Sequence, residues 1–158
     1  MSSSPSTRHT APAHVPPRSS PAARRLGYLI GVVVNALLLY LINREPGWQA
    51  VPFLTDATPE VLGLVNASIA VSLVANLVYV AWDPVWLKAL GDLVTVSVGV
   101  VALVRIWQVW PIDFPAGSPW DVLARVAVGV GIAGGLVGIV ASIGRFTKAM
   151  SVSQRRDF

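Results

Sequence analysis

Long stretches without a charged side chain are the feature that most constrains this chain. Three of them, residues 26–43, 61–82 and 126–144, contain 18, 22 and 19 residues without Asp, Glu, Lys or Arg. An α-helix rises about 1.5 Å per residue, so even the shortest stretch reaches about 27 Å. The hydrocarbon core of a bilayer is about 30 Å thick. Each stretch therefore predicts a helix that crosses a membrane.

A fourth span has to include charged residues. Between the second and the last stretch, the longest uncharged run is residues 93–104, and a helix of that length reaches about 18 Å. The span must take in Asp92, with Lys88 and Arg105 near its ends, where their long side chains extend to the interfaces. The sequence thus predicts an all-α integral membrane protein, a four-helix bundle. Its helices are expected at about 26–43, 60–82, 86–107 and 121–144.

Two of these helices begin with capping patterns. Thr58, Pro59 and Glu60 offer a hydroxyl cap, a proline in the first turn and an acid at the positive end of the helix dipole. Ser118 and Pro119 precede the last helix in the same way. We expect both hydroxyl side chains to cap their helices.

The composition excludes several classes of protein. Charged residues make up 13% of the chain, against about 25% in soluble domains, and 54% of the residues are hydrophobic. There is no cysteine, and both histidines, His9 and His14, precede the first apolar stretch. Thiolate chemistry, iron–sulfur clusters and histidine ligation inside the membrane are therefore excluded. No catalytic constellation appears, so we expect no enzymatic activity, no metal and no cofactor.

The basic residues indicate an orientation. If both termini are cytoplasmic, nine of the 12 Lys and Arg residues lie inside, and Arg44, Arg105 and Arg125 lie outside. Cytoplasmic segments carry the excess of basic residues in membrane proteins. We expect a multi-pass plasma-membrane protein with a disordered cytoplasmic tail over residues 1–22 and a basic tail over residues 147–158. The cations flank the apolar segments and form no single stripe, so nucleic acid is not an expected partner.

Small residues recur at the spacing that brings helices close together. Helices in a bilayer associate through close contact of small side chains. The last helix carries Gly131, Gly134, Gly135 and Gly138, and the first carries Gly27 and Gly31. We interpret these glycines as packing positions inside the bundle. Two glycine faces on the last helix leave open that it also contacts a second copy or another subunit.

Four polar residues are candidates for a site inside the membrane: Asp92, Asn76, Thr95 and Asn35. An ionised Asp at mid-membrane costs about 2.5–3.5 kcal/mol, so it needs Lys88 one turn away, Asn76 on the neighbouring helix, or a proton. One interpretation makes Asp92 a proton or cation site with the other three residues as partners. The interpretation that we favour makes Asp92 an anchor for hydrogen bonds between helices.

A second group of charges lies at the outer ends of the helices. It comprises Arg105, Asp113, Asp121 and Arg125. Asp121 and Arg125 are four residues apart on one helix, which is the favourable order for an ion pair. We interpret the group as a solvated network at the membrane rim, with a site for an anionic ligand as the alternative.

Two segments resemble small, uncharacterised four-span membrane proteins of actinobacteria. One runs from Asn76-Leu77-Val78-Tyr79 to Asp83-Pro84, and the other from Leu90-Gly91-Asp92-Leu93-Val94-Thr95 to Val104-Arg105. The resemblance covers residues 26–145. It implies a four-span fold in the plasma membrane and implies no activity.

The sequence therefore leaves two functions open. The first is a non-enzymatic small subunit, assembly factor or scaffold of a membrane complex, whose partners are the lipid bilayer and another membrane protein or a second copy. The alternative is a small oligomeric transporter or channel for protons or ions that uses Asp92. Four helices rarely enclose a pathway alone, so the alternative requires self-association.

Overall fold

The computed structural model describes residues 20–115 and 117–154, with side chains as far as Thr147. The described residues form four α-helices: α1 (Pro21–Asn43), α2 (Pro59–Ala81), α3 (Val85–Val109) and α4 (Pro119–Gln154). A 3₁₀ turn, Trp48–Ala50, lies between α1 and α2. All four α-helices are long and apolar enough to cross a membrane. The expectation of an all-α protein with four candidate spans is confirmed.

The helices pack in chain order. α1 packs on α2, α2 on α3 and α3 on α4, each pair antiparallel. Within the described residues, no packing joins α1 to α3 or α4, or α2 to α4. The four helices therefore form an open row in which α1 and α4 are the two edges. We call the end with the α2–α3 connection the turn end, and the end with the two longer connections the loop end.

α1 begins earlier than expected, at Pro21. The Ser20 hydroxyl accepts a hydrogen bond from the Ala23 amide at 3.2 Å, and proline occupies the first helical position. This Ser-Pro start is a favourable helix N-terminus, because serine caps and proline has no amide that needs a partner. The predicted disordered tail over residues 1–22 is wrong at Pro21 and Ala22. Its remaining residues lie outside the described range, apart from Ser20.

α4 extends well beyond the predicted end at residue 144. It continues to Gln154, so most of the basic tail expected over residues 147–158 is helical, and Arg155–Phe158 lie outside the described range. The first charged residue, Arg145, ends the apolar run but not the helix. No proline or glycine follows within the helix to break it, and charged residues tolerate helical geometry well.

The predicted hydroxyl cap at Thr58 is wrong. Thr58 has helical dihedral angles, φ −53° and ψ −41°, and makes no side-chain capping bond. A capping hydroxyl reaches the helix amides from extended backbone, which Thr58 does not adopt. Its Oγ1 is buried, and no hydrogen-bond partner for it lies among the described residues.

The two connections at the loop end pair with each other. Leu54 and Ile112 form an isolated antiparallel bridge, and the Asp113 amide donates to the Phe53 carbonyl at 2.9 Å. The rings of Phe53 and Phe114 stack with centroids 5.1 Å apart. This pairing joins the α1–α2 hairpin to the α3–α4 hairpin outside the helices.

The apolar interior is very small. In the described part of the four helices, the buried apolar residues are Val61, Tyr79, Ala89 and Ala102. α1 has no buried residue at all. Large exposed apolar surfaces of this kind are unfavourable in water and suit hydrocarbon as the surrounding medium.

Candidate functional site

Asp92 is paired within its own helix. Lys88 Nζ lies 2.8 Å from Asp92 Oδ2 and 3.0 Å from Oδ1, one turn apart on α3. Asp92 is the eighth residue of α3, about 10 Å from the start of the helix. The lysine can therefore neutralise the acid while its stem follows the helix toward the turn end.

Tyr79 on α2 is the second neighbour of Asp92. Its hydroxyl donates to the Lys88 carbonyl at 3.1 Å and lies 3.5 Å from Asp92 Oδ1. Lys88 Nζ is 5.3 Å from the centre of the Tyr79 ring, within the range of a cation–π contact. Gly91 makes room for this arrangement, because a Cβ at that position would collide with the Tyr79 hydroxyl.

These contacts continue onto α1. The Tyr28 ring tilts against the Tyr79 ring with centroids 5.3 Å apart, and the Tyr28 hydroxyl donates to Asp83 Oδ1 at 3.2 Å. Arg24 Nε donates to Asp83 Oδ2 at 3.1 Å. Arg24, Tyr28, Tyr79, Asp83, Lys88 and Asp92 therefore form one connected cluster at the turn end, which we call the turn-end network.

The structure does not bring Asn76 and Asn35 to Asp92. The Asn76 amide donates to the Ser72 carbonyl of its own helix at 2.7 Å, and the Asn35 amide donates to the Gly31 carbonyl at 2.7 Å. Asn76 packs against Gly31, because a Cβ added to Gly31 would lie 2.8 Å from Asn76 Oδ1. Asn76 therefore faces α1 and not α3, so the predicted grouping of these two residues with Asp92 is wrong.

Thr95, the fourth predicted residue, lies almost one turn beyond Asp92 on α3. It lines an apolar groove between α2 and α3, together with Tyr79 and Gly91. The candidate polar site thus separates into an Asp92–Lys88–Tyr79 group and an Asn76–Gly31–Asn35 group.

The predicted packing glycines also separate into two groups. Gly131, Gly135 and Gly138 lie against Leu103, Val100 and Val96 of α3, and Gly31 lies against Asn76. Cβ atoms built at Gly27 and Gly134 would meet nothing within 4 Å in the described structure. One glycine face of α4 therefore contacts α3, and Gly134 lies away from it.

The outer charges form two separate pairs. Arg105 Nη2 lies 3.2 Å from Glu60 Oε2 on α2, a partner that the sequence did not indicate. Arg125 Nε lies 3.0 Å from Asp121 Oδ2, in agreement with their four-residue spacing, and its guanidinium stacks 4.1 Å from the Trp110 ring centre. Asp113 is exposed, and its backbone amide donates to the Phe53 carbonyl in the α1–α2 connection.

Sequence reasoning missed four members of the turn-end network: Arg24, Tyr28, Tyr79 and Asp83. Tyr79 appears in the sequence only as an aromatic residue near a helix end, which membrane-interface belts also explain. The available signal was antiparallel counting. Residues that lie opposite each other in an antiparallel pair of helices have residue numbers with a constant sum. The residue numbers of Arg24 and Asp83 add up to 107, as do those of Tyr28 and Tyr79, so both pairs lie level in one α1–α2 hairpin.

The fold defines an all-helical protein with four candidate membrane spans. Within residues 20–115 and 117–154, no group of three or more His, Cys, Asp or Glu side chains is placed to hold a metal ion. Comparisons with protein-family models, with curated proteins and with solved structures find no match for this chain. The resemblance to small actinobacterial membrane proteins therefore stays a prediction.

Proposed function

We propose that this chain is a non-enzymatic, multi-pass plasma-membrane protein that acts as a small subunit, assembly factor or scaffold of a membrane complex. The observation that carries the proposal is the open row of helices, in which α1 and α4 each pack on a single neighbour among the described residues. A closed bundle would leave each helix two neighbours. Edge helices with uncovered sides are available to a partner.

The uncovered side of α4 supports association at that edge. Val130, Gly134, Val137 and Ala141 follow one another at spacings of three or four residues and are all exposed. Gly134 removes the side chain from the middle of this row, so a neighbouring helix can approach the α4 backbone there. We call this row the α4 outer face.

The charges of the turn-end network support a structural role for it. Lys88 is paired with Asp92, and Arg24 is paired with Asp83. Arg24 of α1 thus pairs with the α2–α3 connection, and the Tyr79 hydroxyl of α2 lies against Lys88 and Asp92 of α3. The arrangement suits a clamp that holds three helices in register, which agrees with the interpretation of Asp92 as an anchor.

The proposed orientation places the turn end in the cytoplasm, with both termini. At the loop end, Arg105 is neutralised by Glu60, and Arg125 by Asp121. Trp82 and Trp86 lie at the turn end, where their rings meet edge to face. In this orientation, only Arg44, Arg105 and Arg125 of the 12 cations lie at the loop end. This excess of cations on the turn-end side and the tryptophans near the boundary agree with the positive-inside rule and the aromatic belt.

Gentle detergent extraction followed by native mass spectrometry tests the proposal. We expect wild-type protein to travel with another membrane protein or with a second copy, and Gly134→Leu to lose that partner. Gly63→Leu on α2 is the matched control, because a Cβ there also meets nothing within 4 Å in the described part of the chain. Recovery of the wild-type protein as a lone monomer would contradict the proposal.

The alternative, an oligomeric proton- or ion-coupled transporter that uses Asp92, has less support. Asp92 already interacts with Lys88 and Tyr79, and its predicted amide partners lie elsewhere. A flux assay in proteoliposomes with Asp92→Asn tests the alternative. We would abandon it if this substitution left every measured proton and cation flux at the wild-type level.

A further inference from the structure

An apolar groove lies between α2 and α3 in the half of the helices nearest the turn end. Its volume is about 470 Å³, and its lining is almost wholly apolar. The principal lining residues are Ala70, Val74 and Val78 of α2 and Leu87, Leu90 and Val94 of α3. Val74, Val78, Leu90 and Val94 are exposed, so the groove opens to the surroundings of the helices. Its volume falls within the range of about 300–1,000 Å³ typical of ligand sites.

The length of the groove corresponds to one leaflet of a bilayer. The α2 side runs from Ala70 to Tyr79, and the α3 side from Leu87 to Thr95. At about 1.5 Å per residue, each side is about 12–14 Å long. This is close to half of a hydrocarbon core of about 30 Å. A transmembrane helix of a partner would run through both leaflets, whereas an acyl chain occupies only one.

A cationic group lies beside the turn end of the groove. Lys88 follows Leu87, which lines the groove, and the Lys88 side chain is 41% exposed. Its ammonium donates to Asp92 Oδ1 and Oδ2. An ammonium has three donors, so the third is available to an anionic oxygen from the membrane surface.

We propose that this groove binds one acyl chain of a phospholipid from the turn-end leaflet, and that Lys88 donates a hydrogen bond to the phosphate of the same lipid. The groove has an apolar wall for the acyl chain. Gly91 has no side chain, so the Tyr79 ring lies against α3 and forms part of that wall. Lys88 supplies charge at the level where the head group begins. The open row of helices leaves the groove facing lipid, so no gate has to open.

The first experiment fills the groove. Full-length protein is reconstituted in nanodiscs of equal phosphatidylglycerol and phosphatidylcholine, released in the gas phase and weighed by native mass spectrometry. We expect wild-type protein to retain one phospholipid per chain and Val74→Trp to lower that retention by about tenfold. Val101→Trp is the control, since Val101 is 53% exposed on α3 and does not line the groove. It should retain the lipid.

Three results would overturn the proposal. In the first, wild-type protein releases all phospholipid. In the second, the Val74→Trp variant retains as much lipid as wild type. In the third, the wild-type protein carries a second protein chain in place of a lipid, and Val74→Trp displaces that chain. If Val74→Trp does not fold, as circular dichroism will show, Val94→Phe fills the groove from α3 and carries the same expectations. Lipid binding and partner binding are separable, because Gly134→Leu should remove a partner and leave the phospholipid bound.

A second experiment isolates the phosphate contact. Lys88→Gln combined with Asp92→Asn removes both charges and keeps side chains of similar size. We expect this double variant to retain phospholipid several-fold less well than wild type, with a smaller loss than Val74→Trp. Retention equal to wild type would show that Lys88 does not contact the phosphate.

Discussion

The two helical hairpins have the same shape but are held together by different contacts. Hydrogen bonds hold α1 at both ends of the first hairpin: Asp83, in the connection after α2, accepts from Arg24 and Tyr28, and Asn43 and Asn66 exchange two hydrogen bonds of 2.9 and 2.6 Å. Between α3 and α4, glycines lie directly against apolar side chains of α3. Polar contacts in the second hairpin occur at the loop end, where the Trp110 indole donates to Asp121.

For helices that are apolar enough to span a bilayer, this difference is expected from what hydrocarbon offers. Lipid tails are as apolar as leucine, so burial of apolar surface gives little association, and the remaining choices are close packing and hydrogen bonds. α4 has glycines along the side that faces α3, which permits close packing. α1 has one glycine, Gly31, in contact with α2, and that contact is with an amide side chain. The α1–α2 hairpin therefore has hydrogen bonds between its helices, whereas the α3–α4 hairpin has glycines in close contact with α3.

The largest expected effect comes from breaking the close packing in the α3–α4 hairpin. Gly135→Leu places a side chain where even a Cβ would collide with Val100, so we expect a loss of about 1–3 kcal/mol in the free energy of unfolding. Unfolding of the monomeric fraction by denaturant titration in mixed micelles measures it. Gly134→Leu, one residue away and without neighbours in the described chain, should change stability by less than about 0.5 kcal/mol.

Adding Val100→Ala to Gly135→Leu sharpens this test. The smaller side chain makes space for the leucine, so the double variant should recover part of the lost stability. Equal losses for Gly134→Leu and Gly135→Leu would mean that the α3–α4 hairpin is not held by this glycine face.

An intermediate effect is expected from the turn-end network, which joins the two hairpins. Asp92→Asn leaves Lys88 without a carboxylate partner, and we expect a loss of about 1 kcal/mol, since both side chains are partly exposed. Lys88→Met with Asp92→Leu removes both charges and should be close to wild type in stability. The same micelle titration compares the two. If the double variant were as unstable as Asp92→Asn, the unpaired lysine would not be the cause.

The smallest effect is expected from the amide pair of the α1–α2 hairpin. A double-mutant cycle with Asn43→Ala and Asn66→Ala should give a coupling free energy of about 0.6 kcal/mol, a typical value for hydrogen bonds between membrane helices. Asn35 and Asn66 form the control cycle, because Asn35 donates within its own helix, and their coupling should be close to zero. Similar coupling in both cycles would argue against a specific Asn43–Asn66 contact.

Much of the fold was predictable because span length is a local property. Residues 26–43, 61–82 and 126–144 all lie almost entirely inside the helices that the structure contains. The ends were less predictable, because a charged residue ends an apolar run without ending a helix, as Arg145 in α4 shows. The pairing of Asp121 with Arg125 also followed from sequence, since both residues lie on one helix.

The candidate site was predicted less well. Asp92 and Lys88 pair as their spacing allows, but Asn76 faces Gly31, and Tyr79 takes the place beside Asp92. Equal depth in the membrane had suggested that Asn76 and Asp92 would meet. Depth does not decide the direction in which a side chain leaves its helix, and this direction separates the two residues.

The sequence by itself determined the number of candidate spans, their antiparallel order and the contacts between residues one turn apart. Tertiary structure decided which faces of the helices meet: Tyr79 over Gly91, Asp83 against α1, and the groove between α2 and α3. The reason lies in helices such as α2 and α4, whose apolar residues are spread around the helix and mark no single face. An amphipathic helix shows in its sequence which face is buried, whereas a helix that is apolar all round does not. Its rotation is set by the neighbours on which it packs.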